Sequence, residues 1–196
     1  MNNPKIFIFA NIIVFLSWLV FWIGFFTILR PGKQKDKVRD PRSIIGIIIE
    51  GIGLGIAFAI HRDYARCDEL IGIIPRIIIY TIAAILAPLS AWLALTAIRT
   101  LGKQWSLTAR TLVNHELITT GPYRFVRHPI YAAMLGLLFA TGILITHPVA
   151  LIVAIIIFAF GTQLRINSEE KLLIGLFGNT YLDYRKNVKA IIPFIW

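Results

Sequence analysis

The chain has 196 residues, of which 57% are hydrophobic and 15% charged, and its net charge is +10. Soluble domains carry about 25% charged residues, so a soluble protein of this length could not cover so many apolar side chains. Disordered chains are poor in apolar residues, and Cys67, the single cysteine, has no partner in the chain for a disulfide. The composition therefore excludes these classes and predicts an integral membrane protein.

Five apolar runs are long enough to cross a membrane as helices. A spanning helix needs about 20 residues, with about 17 as the lower limit. The runs cover residues 6–29, 43–60, 73–98, 129–145 and 148–164. Only Thr146 and His147 separate the last two runs. Both of these runs begin with a proline, which suits a first helical turn. We predict an all-α, multi-pass transmembrane helical bundle that forms one integral membrane domain over residues 1–196.

The basic residues predict how the bundle is oriented. Loop 30–42 holds six Lys or Arg, loop 99–127 holds five and the tail from residue 165 holds five. With five spans these segments share one side of the membrane, and the positive-inside rule makes it the cytoplasmic side, with the N-terminus outside. The membrane would be the cell membrane in a prokaryote and the endoplasmic reticulum in a eukaryote. Because the charges follow loops rather than one contiguous face, nucleic acid is not an expected partner.

Three features of the chain have structural readings. Gly51 and Gly55 have the spacing of a face for close helix packing. Glu50 is an ionisable group within a span, and it could contact a substrate or pair with Arg76 or with a backbone group of a neighbouring helix. The four histidines lack metal-ligand spacing and Cys67 cannot complete a zinc site, so no metal is expected.

Polar residues suited to chemistry concentrate in two segments on the predicted cytoplasmic side. Residues 121–131 read GPYRFVRHPIY, and residues 165–170 read RINSEE, which places Arg165 and Glu169 one helical turn apart. Leucines and Phe177 beyond this point have helical spacing and predict an amphipathic helix that is interrupted at Gly178. Taken singly, the first segment is equally typical of an interfacial anchor, and the second of an ordinary i,i+4 ion pair.

Taken together, the two segments resemble the isoprenylcysteine carboxyl methyltransferase family. The resemblance rests on GPYR and RHPIY in the loop, Arg165 followed by two glutamates, FGNTYLDY at 177–184 and IPF at 192–194, and it covers about residues 102–196. It implies a membrane-embedded methyltransferase that uses S-adenosyl-L-methionine, releases S-adenosyl-L-homocysteine and has no Rossmann domain. The cytoplasmic loop and the tail helix would close the cofactor pocket.

The resemblance also implies roles for individual residues. Arg165 falls on the family's substrate-carboxylate arginine, and we take Arg165 and Glu169 as the catalytic pair. No cofactor contact is assigned to residues 102–110, which match the family poorly. The cofactor contacts fall on His115, Glu116, Leu117, Ile118, Tyr123, His128, Pro129, Ile130, Tyr131 and Glu169.

These residue types suit methyl transfer to a carboxylate. The acceptor is already ionised at neutral pH, so the reaction needs positioning and exclusion of water rather than a strong base. A guanidinium such as that of Arg165 can hold a carboxylate with two parallel hydrogen bonds, and Glu169 would take the amino group or a ribose hydroxyl of the cofactor.

The implied acceptor is a prenylcysteine-like lipidic carboxylate, with membrane lipids around the protein. An alternative is N-methylation of a phospholipid headgroup, for which Arg165 would be a poor neighbour because the amine must be neutral. A sterol-type reductase would use a nicotinamide cofactor and is usually longer. A non-enzymatic transport or scaffold protein would leave the clustered Tyr, Arg, His and Glu side chains unexplained.

Overall fold

A computed structural model of the protein describes residues 4–28, 36–62 and 72–193. Leu29, Cys67 and Phe194 lie outside the described residues. The helices are α1 (Pro4–Ile28), α2 (Arg42–Ala59), α3 (Ile73–Leu101), α4 (Pro129–Ile145), α5 (Pro148–Phe177) and α6 (Asn179–Asn187). Two short strands, β1 (Asp36–Arg39) and β2 (Arg110–Leu112), and two 3₁₀ turns, Gly102–Gln104 and Gly121–Arg124, complete the described elements.

The predicted all-α membrane bundle is confirmed. Helices α1, α2, α3 and α5 are long and apolar enough to cross a membrane. Helix α4 is also apolar, and its 17 residues match the fourth predicted run. All five predicted runs are thus helical where the structure describes them, except for Ile60, which is the C-cap of α2.

Helix α5 continues well beyond the predicted end of the fifth run at residue 164. The amphipathic helix expected in the tail is the continuation of α5, so Arg165 and Glu169 stand on the same rigid element as the span. The helix ends at Phe177 because Gly178 takes a φ of +53°, which lies in the region that favours glycine. The predicted interruption at Gly178 is therefore confirmed, while the separate tail helix is not.

Backbone pairing joins the loops at each end of the bundle. Strand β1 runs antiparallel to β2, with Arg39 opposite Arg110. The Asp40 N–H continues this contact by donating to the Ala109 carbonyl at 3.0 Å. Between the segment after α2 and the end of α4, the Arg62 N–H donates to the Ile145 carbonyl, also at 3.0 Å. The loops at 36–42 and 109–112 therefore meet at one end of the bundle, and 60–62 meets 145–147 at the other.

Helices α2 and α5 approach closely through Gly46 and Gly161. A Cβ added at Gly161 would lie 2.7 Å from the Gly46 carbonyl oxygen and 2.8 Å from the Glu50 nitrogen. The prediction that Gly51 and Gly55 form the packing face is wrong, because an added Cβ at either would meet nothing within 4 Å. The buried residues of α2 recur with helical spacing on a different face: Ser43, Gly46, Glu50, Gly53 and Ala57.

Small residues also bring α1, α3 and α4 together. The buried face of α3 carries alanines one helical turn apart, so neighbouring helices can approach its backbone. Trp18 of α1 fills part of the resulting core, and its indole N–H donates to the Thr141 hydroxyl of α4 at 2.9 Å. The alanines are Ala83, Ala87, Ala91 and Ala94.

We expect Gly161→Ala to destabilise the protein, because the new Cβ would lie within 3 Å of backbone atoms of α2 that cannot swing aside. Overpacking of this kind costs about 1–3 kcal/mol, which should lower the Tm of the detergent-solubilised protein by several degrees. Gly55→Ala is the control, because the same change there meets open space and should leave the Tm unchanged or raise it. Equal losses of Tm in both variants would contradict the close packing.

Candidate functional site

A cavity of about 370 Å³ lies beside β2, among α1, α2, α4, α5 and α6. Helices α1 and α2 supply mainly apolar lining, including Phe21, Trp22, Ile47 and Leu54. The segments 104–110 and 115–118, which follow α3, form another part of the wall. The cavity therefore combines an apolar lining from the N-terminal helices with a polar lining from the C-terminal half.

Ten of the eleven predicted site residues line this one cavity. Pro129 does not, because it is fully buried in the first turn of α4. Residues 104–110, to which no cofactor contact was assigned, also line the cavity. The ten residues are His115, Glu116, Leu117, Ile118, Tyr123, His128, Ile130, Tyr131, Arg165 and Glu169.

The GPYR turn directs Tyr123 toward the cavity. Gly121 has a φ of +59°, and a Cβ there would lie 3.1 Å from the Thr100 hydroxyl oxygen, so both conformation and space favour glycine. The Tyr123 N–H then donates to the Thr120 carbonyl at 3.2 Å and closes the turn. Burial, followed by the nearby Glu169 charge, raises the pKa of Tyr123 well above its usual value, so its hydroxyl stays protonated.

His128 bridges the two adjacent glutamates of α5. Its Nδ1 lies 3.4 Å from a carboxylate oxygen of Glu169, and its Nε2 lies 3.3 Å from one of Glu170. Burial alone would lower the pKa of His128, but hydrogen bonds and charges from both carboxylates outweigh it and raise the pKa. The second oxygen of Glu169 accepts a hydrogen bond from the Tyr131 hydroxyl.

Arg127 fastens the C-terminal segment to the loop before α4. Its guanidinium donates to Glu170 at 2.9 Å and to the carbonyls of Arg185 and Val188. Its own N–H donates to the Lys189 carbonyl at 2.8 Å. These bonds hold α6 over the cavity, where Tyr181 and Tyr184 contribute to the lining. Neither Arg127 nor Glu170 is among the site residues predicted from the sequence.

Arg165 is almost fully buried, and its guanidinium is held on three sides. One Nη donates to the Glu50 carboxylate at 2.6 Å, and the other donates to the Leu107 carbonyl at 2.8 Å. The Tyr131 ring lies against the face of the guanidinium in cation–π geometry, with 4.6 Å between the ring centroid and Arg165 Cζ. The structure thus pairs Arg165 with Glu50, and the i,i+4 ion pair with Glu169 is not formed among the described residues.

Glu50 also belongs to the cavity. The residue is only 2% exposed, and its carboxylate accepts a second hydrogen bond from the Thr162 hydroxyl at 2.8 Å. The sequence left open a substrate contact or a pair with Arg76 or with a backbone group of a neighbouring helix, and the structure pairs Glu50 with the side chain of Arg165. Because Glu50 lines the cavity as well, contact with a ligand stays compatible with the structure. An ionisable residue inside an apolar run was the only sequence signal for it.

His115 is expected to be neutral. Burial, reinforced by the charge of Arg110, lowers its pKa below 6.5. Its Nδ1 accepts a hydrogen bond from the Leu112 N–H at 3.4 Å, which leaves Nε2 as the protonated ring nitrogen. The cavity therefore offers a ligand a neutral imidazole donor, the Glu169 carboxylate and a buried guanidinium. This set can hold amine and hydroxyl groups at one position and a carboxylate at another.

The fold and the cavity define a helical membrane protein with a cavity lined largely by its C-terminal half. Residues 79–175 match the model of the isoprenylcysteine carboxyl methyltransferase family. This match confirms the resemblance that the sequence motifs indicate. The match begins in α3 and ends in α5, so α1, α2 and α6 lie outside it.

The curated relatives have consistent names. The chain is 32% identical over 103 residues to protein-S-isoprenylcysteine O-methyltransferase B of Arabidopsis thaliana, covering 51% of this chain and 52% of that protein. It is 34% identical over 101 residues to protein-S-isoprenylcysteine O-methyltransferase of Saccharomyces cerevisiae, covering 50% of this chain and 42% of that protein. The matched region thus spans about half the length of these relatives.

A solved structure is similar over the whole chain. It is described as the eukaryotic intramembrane Ras methyltransferase ICMT, and the two share 22% sequence identity with a TM-score of 0.51. The likeness covers 100% of this chain and 55% of that one. It supports the fold of the bundle, including the helices that the family model does not reach.

We expect Arg127→Ala to release the segment after α6 from the loop before α4. The variant loses charge-assisted hydrogen bonds, each worth about 1.5–3 kcal/mol, so amides around residues 185–191 should exchange hydrogen about tenfold faster or more. Hydrogen exchange followed by mass spectrometry measures this directly.

Arg124→Ala is the matched control, because Arg124 is exposed and stacks only on the exposed Phe125 among the contacts described. Exchange at 185–191 that is equally slow in wild type and Arg127→Ala would show that Arg127 does not hold this segment.

Proposed function

We propose that the protein is a membrane-embedded methyltransferase that transfers a methyl group from S-adenosylmethionine to the carboxylate of a prenylcysteine-like lipidic acceptor. One observation carries the proposal: residues from the family's region converge on a single cavity that also holds the buried guanidinium of Arg165. The names of the relatives support the type of reaction. The proposed orientation keeps the cavity at the cytoplasmic side and the N-terminus outside.

The residues present fit the cofactor. A volume of about 370 Å³ is within the range of small-molecule sites. The Glu169 side chain remains 25% exposed, and each carboxylate oxygen can accept a further hydrogen bond beyond those from Tyr131 and His128. Glu169 would take the amino group or a ribose hydroxyl, while His115 and the backbone of 116–118 would hold the adenosine. When bound, the cofactor supplies an electrophilic methyl group on a sulfonium.

Arg165 is proposed to orient the acceptor. Glu50 and the Leu107 carbonyl use one N–H from each Nη, so each Nη retains one N–H and Nε has no hydrogen-bond partner. A carboxylate is already ionised at neutral pH, so no residue has to remove a proton from it. The apolar lining from α1 and α2 would receive the adjoining part of the lipid tail.

The elements around the cavity would serve the chemistry by limiting the access of water once the ligands are bound. Helix α6, held by Arg127, contributes Tyr181 and Tyr184 to the polar lining, and α1 contributes aromatic side chains to the apolar lining. Removing water strengthens the attraction between Arg165 and a carboxylate and protects the sulfonium from hydrolysis. The ester product has lost its charge, so Arg165 would hold it more weakly than it holds the acid.

We expect the protein to bind S-adenosylhomocysteine saturably and Glu169→Gln to weaken the binding by about tenfold or more, because a charged acceptor of hydrogen bonds is lost. Isothermal titration calorimetry of the detergent-purified protein measures both affinities. Asp183→Asn makes the same chemical change on the exposed face of α6 and should bind like wild type. A folded wild-type protein that does not bind would refute the proposal.

A further inference from the structure

A glutamate outside the family-matched region holds the arginine that we assign to the acceptor. Glu50 stands in α2, whereas the match covers residues 79–175. Its Oε2 lies 2.6 Å from an Nη of Arg165, and its Oε1 is held by Thr162. The contact depends on Gly46 and Gly161, which allow the backbones of α2 and α5 to approach. The N-terminal half therefore contributes a charged group to the site.

We propose that Glu50 is a positioning residue that sets both the orientation and the effective charge of Arg165. This inference rests on the proposed function. Glu50 and the Leu107 carbonyl fix the plane of the guanidinium, and the Tyr131 ring covers one face of it. The acceptor carboxylate can therefore approach only the N–H groups left unused, which restricts its orientation relative to the methyl group.

The charge of Glu50 matters because methyl transfer removes charge. The carboxylate oxygen forms a bond to the methyl carbon while the methyl–sulfur bond breaks and its electron pair stays on sulfur. One negative and one positive charge disappear together, and no proton moves. A guanidinium with its full charge would stabilise the ionised acceptor more than the transition state and would slow the reaction. Glu50 offsets that charge, so the acid is held without being over-stabilised.

Two variants of Glu50 distinguish an ion pair that only stabilises the fold from one that also sets the effective charge of Arg165. Glu50→Gln keeps the shape and can still accept from Arg165 and donate to Thr162, so it removes the charge with little change of geometry. Glu50→Asp keeps the charge but shortens the side chain, so it weakens the positioning. The two variants separate the two parts of the proposal.

The experiment measures calorimetric affinities of detergent-purified protein for N-acetyl-S-farnesyl-L-cysteine and for its methyl ester, together with kcat and KM for the acid. We expect Glu50→Gln to bind the acid about tenfold more tightly, with an unchanged affinity for the ester and a lower kcat. Glu50→Asp should keep the wild-type ratio of acid to ester affinity and also have a lower kcat. Asp183→Asn, which removes an exposed carboxylate, should match wild type in all four quantities.

An unchanged acid-to-ester ratio in Glu50→Gln would overturn the proposal, and so would a wild-type kcat in Glu50→Asp if Glu50→Gln does not fold. Affinity for S-adenosylhomocysteine within about twofold of wild type shows that a variant is folded. Wild-type protein that binds S-adenosylhomocysteine and converts the acid to its methyl ester upholds the proposed function even if these variants fail their test. Wild-type protein that binds S-adenosylhomocysteine but no acid overturns both.

Discussion

The close approach of α2 and α5 is the constraint on which the site depends. Gly46 and Gly161 leave no room for a Cβ between the two backbones, so the side chains next to them meet across the interface. Glu50 and Arg165 form their ion pair there, in a part of the bundle where an unpaired charge would be costly. The two glycines therefore have a chemical consequence. The short distance that they allow between α2 and α5 lets Glu50 reach the guanidinium of Arg165, which can then be buried beside the cavity.

The remaining polar residues are arranged around α5. Its continuation past the membrane-spanning part presents Arg165, Glu169 and Glu170 on one rigid element, with three different partners. Arg165 pairs with α2, Glu169 with His128 and Tyr131, and Glu170 with Arg127. One helix thus links the proposed acceptor position, the proposed cofactor position and the segment after α6 that Arg127 holds.

The sequence predicted the spanning helices and ten of the residues that line the cavity, but not the contacts that organise it. Apolar runs and prolines mark the spans, and the spacing of motifs identifies residues such as Tyr123, His128 and Glu169. The partner of Glu50 depends on which face of α2 is buried, and that face is decided by contacts with α5, more than a hundred residues away. For the same reason the sequence indicated Gly51 and Gly55, and not Gly46, as the packing face of α2. Helical spacing alone does not show which face of a helix is buried. Arg127 was missed because its role depends on a carbonyl at Val188.

The central claim is that this site methylates a carboxylate. The most direct measurement incubates the purified protein with S-adenosylmethionine labelled in its methyl group and with N-acetyl-S-farnesyl-L-cysteine, and then separates base-labile from base-stable product. We predict label in a methyl ester, which base releases as methanol, and none above background with Arg165→Met. Label that is stable to base, or no transfer by a protein that binds both compounds, would contradict carboxyl methylation.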